Sequence, residues 1–99
     1  MRRLLALLAP LLLATPFAAH AFGDDGQYDQ CILQSLRNSQ SSAVANVLRS
    51  SCQSLYRDGA MLLPRERAYH ACILQNVPGV RDSFALQQIM QSCSRQNPM

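Results

Sequence analysis

Downstream of residue 27 the apolar positions repeat with a helical period. Tyr28, Cys31, Ile32 and Leu36 recur at spacings of three and four, as do Val44, Val47, Leu48, Cys52, Leu55 and Tyr56. That spacing puts each set on one face of a helix. The polar run Asn38-Ser39-Gln40-Ser41-Ser42 separates them, and its serines can cap the second helix. Farther on, Tyr69, Cys72 and Ile73 share a face until Pro78-Gly79 stops their helix. Leu86, Ile89, Met90 and Cys93 then line a fourth stripe, capped by Asp82 or Ser83. Gly59 is expected to end the second helix. Leu63-Pro64 fits the start of the third, with proline in its first turn. The predicted fold is all-α, with about four helices forming two hairpins, and short connections make sequence neighbours antiparallel.

The two hairpins are copies. Tyr28-Asp29-Gln30-Cys31-Ile32-Leu33-Gln34 and Tyr69-His70-Ala71-Cys72-Ile73-Leu74-Gln75 agree at five of seven positions, 41 residues apart. Continued without a gap from residue 28 to 52, the same shift gives eight identities in 25 positions, including Cys52 on Cys93. Such fixed-period similarity marks a duplicated structural unit. We place the repeats at about 28–57 and 69–96.

Each copy brings its own pair of cysteines. In an antiparallel helix pair, residues equidistant from the turn stand at the same height. Cys31 and Cys52 are symmetric about position 41.5, inside the first loop, and Cys72 and Cys93 about 82.5, next to the second. The predicted bridges are Cys31–Cys52 and Cys72–Cys93, one per repeat. The nested pairing, Cys52–Cys72 inside Cys31–Cys93, is also nearly symmetric and stays open at this point. A chain this short is marginal on its hydrophobic core alone. In the chain-entropy model each bridge across about 20 residues adds roughly 3 kcal/mol.

The N-terminus has a different pattern. Met1-Arg2-Arg3 precedes the apolar run Leu4 to Ala14, and Ala19-His20-Ala21 follows. This is the order of a cleavable signal peptide, residues 1–21. The run is short for a membrane span, and Pro10 and Pro16 interrupt it. The expected mature domain, 22–99, keeps seven arginines against six acids, a net charge of +1. Its arginines are scattered, so no basic face for nucleic acid is written here, and no stable membrane anchor is expected after cleavage. An even cysteine count in a short exported chain reads as disulfides, which places the protein in the periplasm or outside the cell. Phe22 to Gln27 is expected to be mobile, and Ser94 to Met99 to fray.

Candidate chemistry is sparse. His70 is the one histidine of the mature part and has no second histidine to complete a zinc shell, so we expect it to face solvent or pack partly. There is no Cys-x-x-Cys for disulfide exchange and no Cys-x-x-Cys-His for haem. The serines fall in turns, caps and helix surfaces. No catalytic residue, metal or cofactor is predicted. Tyr28 and Tyr69, each one turn before a cysteine, are expected to pack over the bridges; otherwise they form two equivalent contact points. Ala60-Met61-Leu62-Leu63-Pro64 is the most apolar link in the mature part and is expected to pack the hairpins together. If it is exposed instead, Met61, Leu62 and Leu63 become the candidate partner contact.

The repeat resembles a module of small exported bacterial proteins of unknown function: a Tyr-x-x-Cys-Ile-Leu helix, a Gly-Val turn, and a helix with a closing cysteine. The second copy carries it as Tyr69, Cys72, Ile73, Leu74, Gly79, Val80, Ile89 and Cys93. The first copy lacks the Gly-Val turn, so a differently shaped loop is expected there. The resemblance implies fold and export and brings no activity.

The functional expectation is a small non-enzymatic binding module acting on another envelope protein, with homo-oligomerisation left open. The alternatives are a secreted membrane-active or toxin-like peptide, which the low charge and the lack of a basic amphipathic face disfavour, and a periplasmic folding or redox helper, which would need an exposed reducible cysteine.

Overall fold

The computed structural model describes residues 23–98; the predicted leader lies outside them. Four α-helices follow one another: α1 (Gly23–Ser35), α2 (Ser42–Tyr56), α3 (Pro64–Asn76) and α4 (Ser83–Gln96). A single 3-10 turn, Gly59–Met61, joins α2 to α3. Among the described residues there is no strand. The disulfides are Cys31–Cys52 and Cys72–Cys93, each with its Cα atoms 5.7 Å apart, so each closes its own hairpin.

The duplication governs the local structure closely. α3 starts and ends 41 residues after α1, and α4 starts 41 after α2. Ser41 Oγ accepts from Val44 N–H at 3.3 Å, and its counterpart Asp82 Oδ1 accepts from Ala85 N–H at 2.8 Å. Each satisfies a donor that a helix N-terminus leaves free.

The two loops also match, against the expectation that the first would differ. Leu36 N–H donates to Ile32 O and Ser39 N–H to Leu36 O; Val77 N–H donates to Ile73 O and Val80 N–H to Val77 O. Both turns need one left-handed residue, Asn38 at φ 66° and Gly79 at φ 89°. Asparagine is among the few residues with a side chain that visit this region readily, so Asn38 reproduces the turn that Gly79 makes.

One twin position is mismatched. Val80 packs against the core, whereas its counterpart Ser39 buries a hydroxyl that finds no protein partner. Ser39→Val is expected to stabilise the protein by about 1 kcal/mol, since an unpaired buried hydroxyl carries a desolvation cost. Chemical denaturation checks this, and a loss of stability would show that the hydroxyl is needed.

The core lies among α2, α3 and α4. Val44 and Leu48 of α2, Ile73 of α3, Val77 just beyond it, and Leu86 and Cys93 of α4 form one buried cluster. α2 is the central helix: α1 packs on it, as does α3, and it also touches α4. α1 is peripheral. Among its described side chains Cys31 and Ser35 are buried, and Leu36 just beyond it meets the core only partly buried.

Four further expectations are corrected. The segment 23–27 is not a mobile tail but the opening of α1. Arg57 holds it there, with its guanidinium 3.8 Å over the Tyr28 ring and 3.5 Å from Asp25. At the other end α4 continues to Gln96, and Asn97 closes it by donating from Nδ2 to Cys93 O at 3.0 Å. Gly59 does not end α2, which stops at Tyr56 with Arg57 as its cap; Gly59 opens the 3-10 turn. The connector does not pack between the hairpins, because α2 and α3 already bury their apolar faces against each other. Met61 is 85% exposed and Leu63 47%.

Candidate functional site

The connector presents its apolar side chains on a fixed backbone. Met61 N–H donates to Asp58 O and Leu62 N–H to Gly59 O. Leu63 precedes α3 and has no side-chain acceptor, so only half of a capping box forms: Leu63 N–H donates to Glu66 Oε1 at 2.9 Å. Arg67 reaches back from α3, donating through Nη2 to Gly59 O at 2.6 Å. Pro64 sits in the first turn of α3, where a missing N–H costs nothing. Met61 and Leu63 therefore stand in solvent on a segment with little freedom left to lose on binding, while Leu62 is half-buried.

Tyr28 and Tyr69 are twins in sequence but not in surroundings. Both are half-buried. Tyr28 stacks under Arg57. Tyr69 packs against the core and sets its ring 5.2 Å from His70, edge to face. Arg57 has Pro98 as its counterpart in the second copy, so the clamp cannot form twice. The structure thus places Tyr28 and Tyr69 in unlike surroundings.

One pair escaped sequence reasoning. Ser51 Oγ of α2 and His70 Nδ1 of α3 lie 2.9 Å apart and share a hydrogen bond. It borders a cleft of about 210 Å³ lined by Asn46, Val47, Ser50, Tyr69, Ile73 and Met90 as well. A serine next to a histidine invites comparison with a nucleophile and its base, but Ser51 is only 3% exposed and its hydroxyl faces the neighbouring helix. The available signal was position: His70 lies three residues before Ile73 on the stripe that α3 buries.

Burial holds the pKa of His70 below its ordinary 6.5, opposed by the nearby Glu66 carboxylate. The folded state therefore favours neutral imidazole. Its contribution to stability is complete above pH 6.5. It is lost as pH falls through the folded value, because the unfolded chain takes up the proton first. His70→Gln is expected to flatten this part of the stability profile. Denaturation midpoints of both proteins between pH 7.5 and 5 check it, and parallel curves would refute it. Among the described residues no three His, Cys, Asp or Glu side chains gather as a metal site.

Fold and surface together define a class: a small α-helical repeat protein whose two hairpins are stapled by disulfides and joined by an apolar connector held open to solvent. The chain belongs to the family of four-cysteine proteins described as VF_A0006-like, whose model matches residues 9–97. No curated protein and no solved structure matches it.

Proposed function

We propose that the chain is exported by residues 1–21 as a cleavable leader. In the periplasm or outside the cell it then acts, without catalysing a reaction, as a binding module for another envelope protein. The observation that carries this reading is the exposed pair Met61 and Leu63 on a connector pinned at both ends. Apolar side chains held in water on rigid backbone suit an interface, because little ordering entropy remains to be lost. The two disulfides fit an oxidising compartment. Among the described residues no helix is long and apolar enough to cross a membrane. A redox role is less well supported, since Cys31, Cys52 and Cys93 are buried. The Tyr-x-x-Cys-Ile-Leu helix with its closing cysteine is, in this reading, the signature of the repeat across the family.

The test places a photo-crosslinking amino acid at position 61 of the exported protein in living cells. One discrete envelope partner is expected, lost when Leu63→Gln is added, and the recovered chain should begin at Phe22. Crosslinks to no protein, or to many without discrimination, would overturn the binding reading. A retained leader would overturn the export reading.

A further inference from the structure

The duplication allows each helix face to be compared with its twin, and one comparison is unequal. On α3, His70, Ile73, Leu74 and Val77 form a stripe at i, i+3, i+4 and i+7. α2 lies along it and α4 completes the burial: Ile73 and Val77 are fully buried in a cluster with Val44 and Leu48 of α2 and Leu86 and Cys93 of α4, and His70 bonds to Ser51. On α1 the same positions are Asp29, Ile32, Leu33 and Leu36. The first repeat has kept the apolar residues, with Ile and Leu identical at the middle two positions, but no helix of the described chain covers them in the same way. Leu33 is 64% exposed, Ile32 is half-buried and Asp29 is open to solvent, while Leu36 already packs, partly buried, against the core.

We infer that the Asp29–Ile32–Leu33 face of α1 is a docking site for an amphipathic helix of a partner protein. That helix presents aliphatic side chains at i, i+3 and i+4 and a hydrogen-bond donor at i+7. The chemistry is read from the twin. The helix that covers α3 offers Val44, Val47, Leu48 and Ser51 at those spacings, and where Ser51 meets His70 the incoming helix would meet the Asp29 carboxylate.

A second copy fits less well. The corresponding stripe on α4 is Ala85, Gln88, Ile89 and Ser92, so head-to-tail stacking would bury Gln88 against Ile32 and Leu33 without a partner for its amide. Two α1 helices packed antiparallel about a two-fold axis would lay Asp29 over the other copy's Leu36. Repeat arrays end on a polar outer face; α4 exposes Gln87, Gln88 and Gln91 there, together with Phe84, which is 71% exposed. α1 ends the other side of the pair and has kept an apolar face. This site is separate from the connector, so the two readings can fail independently.

The probe is a synthetic peptide of residues 42–56 with Cys52→Ala. A lactam between positions 49 and 53, both exposed in α2, keeps it helical, as circular dichroism can verify. It is titrated into isotope-labelled protein that was exported with its own leader. Saturable amide shifts centred on residues 29–36 are expected. Leu33→Glu, which alters an exposed side chain and should leave the melting temperature unchanged, is expected to weaken binding about tenfold or more. Met61→Gln should leave it unaltered. Three results would overturn the inference: no shifts from a verified helix, shifts centred on α3, α4 or the connector, or equal binding by Leu33→Glu. A dimer in sedimentation that Leu33→Glu dissolves would also overturn it, by assigning the face to a second copy.

Discussion

Replacing Cys31 and Cys52 together by alanine is expected to release α1 while α2, α3 and α4 stay folded. Opening a loop of about 20 residues costs roughly 3 kcal/mol in the chain-entropy model. Where that loss appears depends on what else holds the helix. α1 supplies no member of the central cluster. Apart from the bridge it is held by partly buried Leu36 and by Arg57 acting on Tyr28 and Asp25. Exposed ion pairs and cation–π contacts of this kind are each worth about 1 kcal/mol or less. The equivalent change at Cys72 and Cys93 should act differently, because Cys93 is itself part of the cluster with Leu48 and Ile73. That variant is expected to lose stability throughout. Hydrogen exchange separates the two: in the first variant amides of residues 24–35 lose protection while those of α3 keep it, and in the second all helices lose protection together. Uniform loss in the first variant would mean that α1 is integral to the core.

Leu48→Ala carries the other large effect. Leu48 is fully buried at the centre of the cluster, facing residues from α3 and α4. Truncation removes its transfer energy and leaves a cavity, typically 2–5 kcal/mol in total. In a domain of this size that lowers the melting temperature by on the order of 15–20 °C. Its twin is Ile89, 41 residues on and only partly buried against the same core, so Ile89→Ala should cost about half as much or less. Equal losses would mean that the two copies share the core evenly, contrary to the packing around α2. Both values come from thermal melts of the oxidised protein.

The helices, their pairing and their bridges could be read from sequence because they are local properties. Residues at spacings of three and four choose the helix face, Ser41 and Asp82 can reach their own helix starts, and a cysteine pair equidistant from a turn meets across it. The repeat added a second reading of every element, and the loop at Asn38 shows that it could have carried more: a 41-residue shift places Asn38 on Gly79, and both residues tolerate positive φ. What could not be read depends on how the copies meet. Nothing near Met61 says that α2 and α3 will bury each other and leave the connector outside. Nothing near residues 23–27 announces Arg57, which lies a hairpin away. The Ser51–His70 bond joins residues from different copies, so neither repeat contains it. The candidate contact side chains share this limit, since exposure is settled by the packing of residues elsewhere in the chain.

The arrangement of two self-contained hairpins is tested most directly by tryptic mapping of the unreduced protein. Cleavage after Arg37, Arg49, Arg57, Arg67, Arg81 and Arg95 puts each cysteine on a separate peptide. Segment 50–57 should be recovered linked to the peptide that contains Cys31, and segment 68–81 linked to segment 82–95. Recovery of 50–57 joined to 68–81 would contradict it, because Cys52 would then be bridged to Cys72 across the connector.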